Sequence, residues 1–238
     1  MEVILIPGLW LDGSSWERVT PRLEEAGHRP HPVTLPGLES RDADRSTVTR
    51  GDQVAAVVAL IDAIEGPVVV VGHSAGADIA HAAIDARPDR VARAIYIGGF
   101  PGGDGDSMTG FEAQDGQIPL PAWSEMDEAD LVDLDEAGLS DFRQRAIPSP
   151  ERALTDPQRL ADERRYEVPV TMVCPEFTAD MLRGWMDQGM GPVLELSKVS
   201  DVTYVDLPTG HWPQFTRPEE LANIIVEAIE GGSNASDV

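Results

Sequence analysis

An α/β fold, with a doubly wound and mostly parallel sheet of about six strands, is what the order of apolar patterns in this 238-residue chain predicts. Two observations carry that expectation. The run Val68-Val69-Val70-Val71, led by Pro67 and ended by Gly72, reads as a short strand buried on both faces, the habit of parallel sheets. Stretches with helical spacing separate one such run from the next, as crossovers between parallel strands require. The length suits a single α/β domain with a sizeable core.

Glu2 to Ile6 is the first strand, and Pro7-Gly8-Leu9-Trp10-Leu11-Asp12-Gly13 is a glycine-punctuated loop at its carboxyl end. Ser14 and Glu17 have capping-box spacing ahead of a helix that carries Trp16, Val19 and Leu23 and stops at Gly27. His31 to Leu35 is the second strand, followed by a polar loop over 39–47. Thr49 and Asp52 open a helix with Val54, Val57, Val58, Ile61 and Ile64 on one face. After the Val68 strand, Ala75 to Arg87 is rich in helix formers and Pro88 ends it. Val91 to Ile97 is the fourth strand, halted by Gly98-Gly99.

The composition then changes. Residues 100–166, with clustered prolines, glycines and acids, read as a small helical cap inserted after the fourth strand and lying over the carboxyl ends of the strands. Its helical candidates are Glu125–Glu136 and Ser140–Ala146, and the acidic run of the first reads as a solvated helix face. Val168 to Cys174 resumes the sheet, Thr178 to Gln188 is helical, and Asp201 to Asp206 is the last strand. Thr216 and Glu219 have capping-box spacing before a helix with Leu221, Ile224, Ile225 and Ile229 on one face. The core thus falls into residues 1–99 and 167–232, leaving 233–238 as a flexible tail.

Forty-two acids against 18 Lys and Arg leave a formal charge of −24. Such a surface repels nucleic acid and anionic membranes. No stretch approaches the roughly 20 apolar residues of a membrane span, and the N-terminus lacks a signal-peptide pattern, so the expectation is a cytoplasmic protein, monomeric or homodimeric, acting on a small molecule. A lone cysteine, Cys174, permits no intramolecular disulfide and no thiolate metal cluster. No metal, nucleotide or other cofactor is expected, because the histidines lack ligand spacing and the glycine pattern is no phosphate loop.

Gly72-His73-Ser74-Ala75-Gly76 is a Gly-x-Ser-x-Gly between a strand and a helix. A serine at so sharp a turn is pushed out above the sheet, and the small flanking glycines let strand and helix approach. The N–H of Ala75, at the start of the helix, is placed to donate to an oxyanion. A serine hydroxyl needs a base. Of the five histidines, His28 and His31 flank an early strand, His81 lies inside a helix and His73 points away from its neighbour. His211 remains, in a loop directly after the last strand. The supporting acid belongs in the loop after the Val170–Cys174 strand, where Glu176 lies two residues past Cys174 and Asp180 further on. Glu176 is the better placed, and Asp180 stays open as the alternative. A second oxyanion donor is expected from the loop after the first strand, at Leu9, with Trp10 next best. Trp10, Phe100, Trp123, Phe177 and Trp212 are candidates for the wall of an apolar pocket.

These motifs resemble the α/β-hydrolase superfamily over nearly the whole chain. Gly72-His73-Ser74-Ala75-Gly76 is similar to its nucleophile elbow and Gly210-His211-Trp212 to its histidine loop, and the compact layout resembles its esterase and hydroxynitrile-lyase-like branch. Two positions depart from the pattern: Pro7 stands where a histidine is usual, and Glu176 where aspartate is commoner. The resemblance implies a cofactor-free hydrolase of esters or lactones with a cap over the site. It leaves a cyanohydrin-splitting lyase and a ligand-binding receptor with vestigial hydrolysis as alternatives.

Overall fold

Alternate residues of each central strand face opposite layers, and both layers are apolar. Ile4, Ile6, Val68, Val70, Ala94, Tyr96 and Met172 belong to one core cluster, while Val3, Leu5, Val69, Val71, Ile95, Ile97 and Val173 belong to the other. A sheet with no solvated face must be covered on both sides, which is why its strands read as continuous apolar runs. Each fully buried Val or Ile contributes about 1.5–3 kcal/mol relative to exposure.

The computed structural model describes residues 1–108 and 110–233. In chain order its elements are β1 (Glu2–Ile6), α1 (Thr20–Glu25), β2 (Arg29–Pro32), α2 (Arg50–Ala63), β3 (Val68–His73), α3 (Gly76–Ala86), β4 (Val91–Ile97), β5 (Gln117–Ile118), α4 (Glu136–Arg145), β6 (Ser149–Pro150), α5 (Glu151–Thr155), β7 (Val170–Cys174), α6 (Ala179–Asp187), β8 (Val202–Asp206), α7 (Pro213–Thr216) and α8 (Pro218–Ser233), with short 3-10 turns between them. Six strands form one sheet in the order β2-β1-β3-β4-β7-β8, every adjacent pair parallel. The chain lays β2 on one side of β1 and then crosses to place β3 on the other, so the crevice between β1 and β3 is a topological switch point. The loop of Leu9 and the turn of Ser74 leave the sheet there.

The sheet matches the expectation from sequence, and the differences are local. The second strand lies at Arg29–Pro32 rather than 31–35. Thr34 has left the ladder, and its hydroxyl accepts the Gly13 N–H at 3.1 Å. Thr49 and Asp52 do form a reciprocal capping box. Ser14 and Glu17 do not, because Asp12 caps the 3-10 turn Gly13–Trp16 and Glu17 pairs with Arg145 at 2.7 Å. Thr216 likewise ends α7, its hydroxyl 2.7 Å from that of Thr209, and α8 starts at Pro218. The tail expected at 233–238 lies outside the described residues, apart from Ser233 at the end of α8.

Between β4 and β7 the chain builds the two-stranded β5–β6 sheet, α4 and α5. Buried polar groups fasten the base of this segment to the core. Arg50 donates to the Leu154 carbonyl at 2.6 Å and to Gln158 Oε1 at 3.1 Å, and Gln158 Nε2 donates to the Asp78 carbonyl at 2.9 Å. The acidic stretch 125–136 is not a helix. Asp133 has φ 66°, and the carbonyls of Asp130 and Val132 accept N–H groups from His211 and Gly210 rather than from a following turn. Among the described residues no helix is long and apolar enough to cross a membrane.

Candidate active site

Ser74 sits at φ 52°, in the left-handed region that a side chain rarely occupies. The turn is held by its main chain: the Ser74 N–H donates to Ile97 O and the Ser74 carbonyl accepts from Ala77, both at 2.9 Å. Gly76 makes the geometry possible, because a Cβ there would lie 2.6 Å from Pro7 O and 2.8 Å from Ile6 O. Buried β3 below and α3 behind leave the hydroxyl aimed out of the carboxyl edge of the sheet.

His211 enters from the loop after β8. Its Nε2 is 2.8 Å from Ser74 Oγ and its Nδ1 is 2.7 Å from Glu176 Oε1. The carboxylate accepts at Nδ1, so the imidazole presents its Nε2 lone pair to the serine hydroxyl. Glu176 comes from the loop after β7. Its Oε2 is buried with no partner among the described residues, and a Cβ on Gly98 would lie 3.4 Å from it. Asp180, the alternative acid, is in the first turn of α6 with its side chain 94 % exposed, bonded to Arg183 at 2.8 Å. It is not part of this relay.

Leu9 and Ala75 line the cavity beside Ser74, and among the described residues neither main-chain N–H is taken by an acceptor. The Trp10 N–H, the runner-up donor, is spent: it donates to the buried hydroxyl of Ser149 at 3.0 Å. Trp10 itself is held at φ 64° by that bond and by its indole N–H on Ile118 O at 3.2 Å. The loop that carries Leu9 is therefore tied to β5 and β6 of the inserted segment.

The hydroxyl opens on a cavity of about 1060 Å³. Trp10, Phe100 and Trp212 line it. Phe177 and Trp123 do not. Phe177 is 7 % exposed and stacks behind Phe100 with ring centres 5.2 Å apart, as a support in the core. Trp123 packs on Phe142 and Trp212 under the Arg143 guanidinium, one layer back from the wall. Residues with no local sequence signal for the role complete the lining, among them Met108, Phe111, Met126 and Ile118, with Asp78, Asp106 and Asp127. No Lys or Arg lines it among the described residues.

Asp130 is a further member. It lies within the acidic stretch read from sequence as a solvated helix face, yet one of its carboxylate oxygens lies within 4.8 Å of donor atoms of Glu176 and His211. Burial raises its pKa, His211 opposes the rise and Glu176 adds to it. Among the described residues these three side chains form the one acid and imidazole grouping tight enough for a metal ion. Cys174 packs in the sheet at 1 % exposure, its thiol pushed up to about 12 by burial, which makes it a poor nucleophile.

Residues 3–224 match the alpha/beta hydrolase family. The chain is 27% identical to lipase LipV of Mycobacterium tuberculosis, over 94% of this chain and 91% of that protein. It is 24% identical to a pyrethroid hydrolase of Sphingobium wenxiniae, over 95% of this chain and 86% of that protein. In structure it is similar to an extracellular alpha/beta-hydrolase from a Paenibacillus species, described as sharing structural and functional homology with tobacco salicylic acid binding protein 2. The TM-score is 0.75 at 20% identity, with 96% of this chain and 98% of that one covered.

Proposed function

The chain belongs to the alpha/beta hydrolase family, and from that membership we propose that it is a serine hydrolase cleaving a small, largely apolar ester or lactone through an acyl-enzyme on Ser74. The observation that carries this reading is the unbroken chain from Ser74 Oγ to His211 Nε2 and from His211 Nδ1 to Glu176, opening on an apolar-walled cavity. Relatives that are a lipase and a pyrethroid hydrolase support it.

In the proposed reaction His211 Nε2 takes the Ser74 proton as Oγ attacks the carbonyl carbon. The oxyanion moves between the N–H groups of Leu9 and Ala75, where the α3 N-terminus also favours negative charge. The tetrahedral intermediate collapses, and His211 returns the proton to the departing alcohol. Water then repeats the sequence on the acyl-enzyme, releasing the acid and restoring Ser74. Glu176 holds the Nδ1–H tautomer throughout and stabilises the imidazolium at each crest.

The apolar wall and the acidic lining together suit a neutral substrate. Lys198, the chain's one lysine, is held by Glu195 at 2.7 Å and is not among the lining residues, so no ammonium group stands by to stabilise a departing cyanide. A panel of neutral aryl esters and lactones, assayed with the wild-type protein and Ser74→Ala, tests the proposal. Turnover by the wild type and none by the variant is expected; equal turnover by both overturns it.

A further inference from the structure

The elbow holds a second side chain with no part in the proton relay. His73 is 0 % exposed, walled edge-on by the Trp16 indole at 6.5 Å, and Gly8 leaves room for it: a Cβ there would lie 2.9 Å from its Nδ1. Its Nε2 is 2.7 Å from the main-chain oxygen of His211, and its Nδ1 is 3.3 Å from Gln214 Nε2. A carbonyl only accepts, so Nε2 carries the proton. Burial, and the His211 charge after it, lower the pKa to about 3, so the ring is neutral and Nδ1 is a lone pair. The Gln214 amide must then donate to it.

The placement has a consequence for the relay. His73 precedes the nucleophile, and its acceptor is the carbonyl of the base itself, so one hydrogen bond joins the main chain of the elbow to the main chain of the histidine loop. The same His211 residue is held on its other side, where its N–H donates to Asp130 O at 2.9 Å. A loop residue gripped at both N–H and C=O has little freedom to tilt its ring away from the serine.

We propose that His73 is a positioning residue for His211: its Nε2–H on the His211 carbonyl sets the approach of Nε2 to Ser74 Oγ, and Gln214 fixes the tautomer that makes the bond. This rests on the hydrolase reading above. A buried histidine that only satisfies core polar groups would change the folded fraction when removed, whereas a positioning residue changes turnover per folded site.

The first test uses the unmodified protein with 15N-labelled histidine. The His73 signals should be those of the Nε2–H tautomer and should not move between about pH 5 and pH 8, where an ordinary histidine titrates. An Nδ1–H tautomer, or a titrating His73, overturns the proposal. The second test compares kinetics on a neutral aryl ester. His73→Leu removes the donor, and kcat should fall about tenfold to a hundredfold with KM unchanged, the scale of a misplaced reacting group. His73→Gln, whose amide N–H reaches the same carbonyl, should recover most of the loss. Wild-type kcat in folded His73→Leu contradicts the proposal. If the leucine variant does not fold, Gln214→Leu carries the kinetic test: a smaller kcat loss with mixed His73 tautomers supports it, and an unchanged spectrum and kcat oppose it. Absence of Ser74-dependent turnover in the wild type would count against the hydrolase reading, while the tautomer measurement would still decide this one.

Discussion

A carboxylate oxygen of Asp130 lies within 4.8 Å of one of Glu176, both beside the His211 imidazole. Two like charges so close cost stability when both ionise; His211 opposes that cost, and among the described residues no Lys or Arg lines the cavity beside them. The Asp130 pKa is raised by burial and by Glu176, so the folded state holds that proton more tightly than the unfolded chain does. The stability it contributes is complete below the ordinary aspartate range and is lost as pH rises through the raised folded value. Asp130→Asn, neutral at every pH, should therefore melt higher than the wild type at neutral pH, with the gap closing on acidification. Thermal unfolding across pH checks this, and a variant less stable at neutral pH contradicts it.

The choice of acid is separable by substitution. Glu176→Gln keeps the shape but replaces the carboxylate with a neutral amide whose NH2 can face Nδ1 and fix the wrong His211 tautomer, and kcat should drop by on the order of 10⁴. Asp180→Asn touches an exposed pair with Arg183 and should leave kcat within about twofold, since such pairs contribute little. Steady-state rates on one neutral ester decide it. A larger loss in Asp180→Asn would remove Glu176 from the relay.

Ser149 reports on the oxyanion loop. Its buried hydroxyl takes the Trp10 N–H, while the Leu9 N–H beside it has no acceptor among the described residues. Ser149→Ala strands a buried donor and should cost about 1–3 kcal/mol of stability, read as a lower denaturant midpoint. Because the bond also pins Trp10 at positive φ, kcat should fall as well. A variant with unchanged midpoint and rate would show that the bond does not hold the loop.

The lining bears on substrate charge. Asp106, Asp127 and Asp130 line the cavity, which no Lys or Arg lines among the described residues, while Asp78 in the same lining is paired with Arg50 at 3.3 Å. A neutral ester should show higher kcat/KM than a matched ester bearing a carboxylate, and added salt should narrow the difference by screening. Equal values at low salt would mean the acids do not shape selection.

What the sequence discloses and what it hides divides along range. The Val68–Val71 strand, the serine turn and the Thr49–Asp52 cap are legible because each is specified by neighbours within a few residues. Six parallel strands follow from the same local patterns. Asp130 is hidden, because its place depends on main-chain bonds from its own turn to Gly210 and His211, remote in sequence. A charge run carries no sign of such pairing. Phe177 and Trp123 fail as wall residues for a related reason: aromatic type says that a ring is buried, while the neighbouring ring decides whether it faces core or cavity. His73 was visible in the motif, but its acceptor belongs to another loop.

The proposed hydrolysis depends on covalent chemistry at Ser74. Rapid mixing with an activated aryl ester, read both as released phenol and as intact protein mass, tests that most directly. The expected result is a burst approaching one phenol per protein and a mass increase equal to the acyl group, located on the peptide of Ser74 and absent from Ser74→Ala. Steady turnover with no burst and no adduct on Ser74, undiminished in Ser74→Ala, would contradict it.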